Sequence, residues 1–195
     1  MRLKGIKVGM VMTGSHCTMG DVLPAIADLR AEGAVITVVL SYTVDQVDTR
    51  FYRADDLKSH LKNLTNTPII NTIPGAEPIG PQKLLDLVIV APCTGNTLAK
   101  LANGISDTPA LMAIKAHLRN QKPVVIGVST NDGLGMNAKN LGILMNTKHI
   151  YFIPFRQDNP QEKANSIVAD MNLLVDTAIL ALQCKQIQPV LLGST

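Results

Sequence analysis

Residues 14–21 read GSHCTMGD and follow KVGMVMT, an apolar run with the character of a buried strand. Flanking Gly14 and Gly20 let a backbone come close to a ligand, Ser15 and Thr18 offer hydroxyls, and a helix starting here would add free N–H groups. Together these features suit an anion cradle. A helix N-terminus contributes about 0.3–1 kcal/mol per anionic charge, and about 2 when partly buried. The spacing is not GxGxxG, and the absence of a lysine after the second glycine excludes the usual phosphate loop of nucleoside triphosphatases. An ordinary capped turn fits the same letters, so the loop gains meaning only from its companions.

Three companions follow other apolar runs. Pro92, Cys93, Thr94, Gly95, Asn96 and Thr97 lie in APCTGNTLAKLANGISDTP, residues 91–109. Ser129, Thr130 and Asn131 lie in GVSTNDGLGMN, residues 127–137, and LSYT supplies Ser41 and Thr43. If the runs are parallel strands, all these turns leave from one sheet edge, where ligands of doubly wound folds bind. Compact hydroxyl and amide groups there describe a site for a phosphorylated ligand with a flat polar ring.

The elements that must position these turns are short and β-branched: Lys7 to Thr13, Ala34 to Leu40, Leu87 to Ala91, Pro123 to Ser129 and His149 to Ile153. Few polar residues interrupt them, as expected of strands covered on both faces. Alternation with helical segments predicts an α/β fold, a Rossmann-like doubly wound parallel sheet with helices on both faces, in one three-layer domain spanning residues 1–195. Thr18 and Asp21 predict a capping box for the first helix, which ends at Gly33. A stripe from Ala164 through Ile167, Val168, Met171, Leu174, Ala178 and Leu182 predicts a final helix over 161–183 that belongs to the core or an oligomer interface. The Pro/Gly-rich segment 64–83 has the character of a lid or an oligomer contact.

Composition narrows the function. With 46% hydrophobic residues, 195 positions suffice for a core without disulfide or metal staples. The 18 Lys and Arg are scattered and the net charge is only +3, which gives no nucleic-acid stripe. Cys17, Cys93 and Cys184 form no CxxC pair, so neither a zinc site nor a disulfide framework is expected, and a reducing cytoplasm fits. The first apolar run is too short and too glycine-broken for a signal peptide or a membrane span.

The APCTGNTLAKLANGISD segment closely resembles the signature of the flavoprotein superfamily of flavin-containing cysteine decarboxylases and flavin prenyltransferases. With GSHCTMGDV, EPIGP and STNDGLGMNAKN added, nearly all 195 residues resemble the B subunits of dipicolinate synthase. The resemblance implies one component of an oxidoreductase, working with the A subunit of dipicolinate synthase, which holds NADP. The pair would dehydrate and oxidise a tetrahydrodipicolinate derivative of the lysine pathway to dipicolinate, in the mother cell of a sporulating bacterium. It also implies bound FMN and a homo-oligomer. Gly14, Ser15, Ser41 and Thr43 are assigned to its phosphate and ribityl region, Thr94 to Thr97 lie along the flavin, and Ser129, Thr130 and Asn131 approach the ring or the substrate. Two other readings compete: an FMN-dependent prenyltransferase or decarboxylase acting alone, and a catalytically silent scaffold that stabilises its partner.

Two departures bear on the chemistry. The cysteine decarboxylases carry a catalytic histidine about fourteen residues ahead of the signature proline; counting back from Pro92 reaches Pro78, which cannot act as a base. Their later PxMN motif reads STN here, at residues 129–131. Of the histidines, His16 could touch a ligand or simply bond backbone, and His60 and His117 are expected on exposed helix faces. Lys100 is placed in the first turn of its helix and Asp107 as the cap of the next, while Lys139, Arg119 and Arg156 could pair with a dicarboxylate or remain solvated. The catalytic group is left unnamed.

Overall fold

The computed structural model describes residues 1–193. Five parallel pairings link six strands: β1 (Lys7–Met12), β2 (Val35–Leu40), β3 (Ile69–Ile70), β4 (Leu87–Cys93), β5 (Val124–Thr130) and β6 (Ile150–Phe152). Their spatial order is β3-β2-β1-β4-β5-β6. The chain winds outward from β1 in one direction and restarts at β4 in the other. The switch point therefore lies between β1 and β4, the place where doubly wound sheets hold ligands.

The apolar runs become strands because both faces are covered. All seven residues of β4 are buried, and Val8, Met10 and Val11 of β1 are fully buried. Helices α1 (Met19–Ala31), α3 (Ala54–Thr65) and α8 (Leu174–Leu182) form one packed group. A second group centres on α6 (Pro109–Leu118), which meets β1, β4 and β5 and adjoins α4 (Ile73–Ala76) and α5 (Gly95–Ala102). Two helices complete the set: α2 (Tyr42–Gln46) after β2, and α7 (Ala138–Met145), which packs on α5. At the end of α1, Gly33 adopts φ +91°, and a Cβ there would stand 2.9 Å from the Lys4 Cα. Only glycine suits that stop.

Three expectations are corrected. The helix over 161–183 exists only as α8, preceded by a 3₁₀ turn at Met171–Leu173; upstream, β7 (Phe155–Gln157) and β8 (Ile167–Ala169) pair antiparallel. The β-branched pair Ile167–Val168 satisfied the helical stripe, yet its burial comes from extending β5, which pairs with β6 through residues 124–126 and with β8 at Ser129 and Thr130. The carboxylate of Asp170 accepts from the Asn172 N–H and starts the helical segment afresh.

The predicted capping box is not formed either. Thr18 has helical φ/ψ and makes no cap bond, because its hydroxyl pairs with Ser129 Oγ at 2.7 Å. Finally, the segment 64–83 is folded onto the body rather than hinged over it. It carries β3, α4 and a 3₁₀ turn at Glu77–Ile79, buries Ala76 and Ile79, and is tied down where Asn120 Nδ2 donates to the Gly80 carbonyl at 2.8 Å.

Candidate functional site

The turns after β1 and β4 meet at the switch point. The Thr13 N–H donates to the Pro92 carbonyl at 3.2 Å and its hydroxyl to the same oxygen at 2.8 Å, while the Thr94 N–H donates back to Thr13 Oγ1 at 3.0 Å. On the other flank, Ser15 Oγ donates to the Ser129 carbonyl at 2.6 Å. Three turns far apart in sequence are thus bound into one rim by their own hydroxyls and backbone.

Gly14 stands between two clefts. The smaller, about 270 Å³, is lined by Thr13, Gly14, Ser41, Thr43, Thr94, Asn96, Thr97 and Thr108, with Tyr42 and Leu111. Two helices of useful length begin at it. Thr94 caps α5 by accepting from the Thr97 N–H at 3.2 Å, and Thr108 caps α6 by accepting from the Leu111 N–H at 3.2 Å. No acidic residue lies in the first turn of either helix, so both positive dipole ends are uncompensated. The carboxylate nearest in sequence, Asp45, is buried and held by Lys58 at 3.5 Å and Asn71 at 3.1 Å.

This cleft fits a phosphate on two further observations. Ser41 Oγ is buried in its wall with no hydrogen-bond partner, which leaves a polar atom for a ligand oxygen to satisfy. At Gly14 a Cβ would come 3.3 Å from Thr43 Cγ2 and narrow the entrance. The residues present therefore suit the phosphate end of a mononucleotide.

The larger cleft, about 490 Å³, includes Ser15, His16, Arg50, Ser129, Thr130, Asn131 and Lys163 in its lining. The hydroxyls of Ser15 and Thr18 are committed to Ser129 and so act first as struts of the rim. Asn131 is exposed and accepts from Ser166 Oγ at 3.3 Å, which joins the β5 turn to the β7–β8 hairpin.

Not every sequence-predicted residue faces a cleft. Pro92 and Cys93 lie buried in β4, and Cys93 belongs to the core, where burial pushes its thiol up to about 12. Gly95 is also buried: a Cβ there would fall 2.6 Å from Thr130 Oγ1 and 2.7 Å from Asn137 Nδ2. These three shape the rim from behind. Replacing Gly95 with alanine is expected to displace Thr130 and Asn137 and to lower stability by about 1–3 kcal/mol, as overpacking does. Chemical denaturation checks this, and an unchanged midpoint would show that the β4 and β5 turns are less closely packed than described.

The charged residues also settle differently from expectation. Lys100 lies in the last turn of α5 and pairs with Asp107 at 2.6 Å, so Asp107 is not the cap of α6. Arg156 pairs with Asp170 at 2.5 Å, while Arg119 and Lys139 are exposed; none of the three lines either cleft. His60 is exposed, but His117 is 1% exposed, with Nε2 3.1 Å from the Pro123 carbonyl oxygen and Nδ1 unpartnered. Pro78 lies in the 3₁₀ turn packed against α6 and lines neither cleft.

Sequence reasoning passed over Thr13 and Thr108, and Arg50 and Lys163. The first two had a readable signal, a strand-end hydroxyl and a Thr-Pro helix start. The second two had none, because surface cations look alike in sequence.

Residues 1–179 match the model of the Flavoprotein family. The chain is 48% identical over 189 residues to the dipicolinate synthase B subunit of Bacillus subtilis (strain 168), covering 97% of this chain and 94% of that protein. The crystal structure of the dipicolinate synthase B subunit from Bacillus halodurans C superposes with a TM-score of 0.92 at 48% identity, over 100% of both chains. The FMN-dependent cysteine decarboxylase SpaF shares the fold alone, with a TM-score of 0.64 and 18% identity over 94% of this chain and 99% of that one. Membership follows from site and sequence together: the chain belongs to the Flavoprotein family, in the group of dipicolinate synthase B subunits.

Proposed function

We propose that this chain is one half of a two-component oxidoreductase that binds FMN and a cyclic dicarboxylate. In this reading the pair removes water and two reducing equivalents from a tetrahydrodipicolinate derivative and releases pyridine-2,6-dicarboxylate. The observation that carries the proposal is the junction of the β1, β4 and β5 turns around Gly14, with a phosphate-sized cleft on one side and a larger polar cleft on the other. Near full-length likeness to B subunits supplies the substrate class.

Ser41, Thr43, Thr94, Thr97 and Thr108 would hold the phosphate, and Ser129, Thr130 and Asn131 would face the ring or the substrate. Bound FMN supplies two-electron redox chemistry. The chain's own contribution is to orient the ligand, to exclude water where the core-lined turns close around it, and to receive a proton. Because no GxGxxG is present, NADP is assigned to an A subunit, a partner implied by the naming of the relatives as B subunits. A homo-oligomer, and a site of action in the cytoplasm of the sporulating mother cell, complete the reading. Among the described residues no helix is long and apolar enough to cross a membrane.

Two measurements test it. The purified protein, loaded with FMN, is expected to absorb at about 450 nm and to melt at a higher temperature than before loading. Mixed with the A subunit, NADP and the lysine-pathway precursor, it is expected to form pyridine dicarboxylate faster than the partner does alone. Equal rates with and without this chain would defeat the proposal.

A further inference from the structure

We infer that His16, oriented by Tyr52, is the group that accepts the ring proton when the dicarboxylate is aromatised; the inference rests on the function proposed above. His16 opens a 3₁₀ turn, His16–Thr18, between β1 and α1. It is half-buried and lines both the larger polar cleft and an adjoining apolar cavity of about 530 Å³ formed with Met19, Leu23, Phe51, Tyr52 and Leu57. A ligand in either space reaches the imidazole.

The two ring nitrogens have different surroundings. Nδ1 is hydrogen-bonded to the Tyr52 hydroxyl, with ring centroids 5.3 Å apart and the planes inclined at 52°. Nε2 has no hydrogen-bond partner among the described residues and lies 3.7 Å from the position a Cβ on Gly14 would take, so it faces the glycine of the rim. If the Tyr52 oxygen accepts from Nδ1–H, the lone pair stays on Nε2, and the same contact persists in the imidazolium. Burial holds His16 below the usual 6.5, so the free base prevails at neutral pH, and burial pushes the Tyr52 phenol up to about 12, so it stays protonated.

The surroundings suit a dianionic substrate. Arg50 lines the polar cleft, stacks on Phe51 at 4.8 Å and has no ion-pair partner among the described residues; Lys163 faces it and is shared with Asp158 at 2.9 Å. Asp56 and His60 from α3, and Cys17 and Asp21 at the start of α1, complete the titratable groups around the two spaces.

The step balances as follows. After water is lost, a dihydropyridine dicarboxylate remains; one saturated ring carbon gives up its hydrogen with the electron pair, as hydride, to an oxidised nicotinamide on the partner chain. The neighbouring saturated carbon gives its hydrogen as a proton to Nε2 of His16. The electrons of that second C–H bond become the new π bond, and the imidazolium later passes the proton to solvent.

The test uses the complex of this chain with the A subunit. His16→Gln is expected to lower the rate of pyridine dicarboxylate formation about 10²–10⁴-fold with little change in KM. His16→Gly is expected to lose the same activity and to regain part of it on addition of imidazole, which a merely structural role would not allow. Tyr52→Phe, a change at a positioning residue, is expected to shift the acidic limb of the pH–rate profile while flavin affinity is kept. A folded His16→Gln complex working within about threefold of wild type would overturn the inference alone. So would a His16→Gly complex that imidazole does not revive. A wild-type complex that makes no product sinks the proposed function and this step together. If His16→Gln melts early, an unshifted Tyr52→Phe profile overturns the inference by itself.

Discussion

Replacing Ser41 with aspartate is expected to weaken FMN binding about a thousandfold. A carboxylate about 4 Å from a phosphate charge costs about 4 kcal/mol at the effective dielectric of a partly buried site. The comparison with Ser41→Ala gives the experiment its power. Ser41 Oγ is buried without a partner, so removing it leaves the ligand-free protein as stable as before or slightly more so. Binding should nevertheless fall about tenfold to a hundredfold, since a hydrogen bond to a charged group contributes about 1.5–3 kcal/mol. Flavin fluorescence titration reads the first effect and chemical denaturation the second. Wild-type affinity in Ser41→Asp would place the phosphate elsewhere, and a marked loss of ligand-free stability in Ser41→Ala would show that the hydroxyl has a structural partner.

Acidification is expected to destabilise the fold through His117. Burial first of all, and then the Lys122 charge, hold this histidine down to about 4, against the hydrogen bond to the Pro123 carbonyl and the Asp86 charge, which raise it. The unfolded chain binds the proton near 6.5 and the folded chain only near 4, so the unfolded state holds more protons between these values. Stability is therefore fully present above about 6.5 and declines as the pH falls toward 4, by about 3 kcal/mol if the full difference applies. Urea midpoints measured from pH 7 down to pH 4 give the slope. His117→Gln, which can still donate to the Pro123 carbonyl, should flatten this limb. A variant as acid-sensitive as wild type would assign the loss to the carboxylates instead.

Much of this architecture could be read from the chain. β1, β2, β4 and β5 fall within a residue or two of their apolar runs because each is covered on both faces, and continuous burial leaves a continuous hydrophobic signature. The Thr94 and Thr108 turns were legible for a related reason: a hydroxyl ahead of a helix satisfies backbone N–H groups within the same few residues. Where local signals pointed two ways, they misled. Thr18 looked like a cap, yet its hydroxyl found a better partner 111 positions away in Ser129. Ile167 and Val168 fit a helical stripe as well as a strand, and pairing with β5 decided between them. His117 looked like a polar residue on a surface helix, but the face it occupies turns inward against the strand edge.

By itself, the sequence determined the class of fold, the strand-end turns and the family, all of which depend on contacts or patterns within short stretches. Only the tertiary structure decided which hydroxyls are struts and which line a cleft, that Cys93 faces the core, and that His16 meets Tyr52 across 36 positions. The physical reason is that hydrogen-bond partners and burial are set by whichever groups the sheet brings alongside, and the residue's own neighbours in the chain carry no record of them.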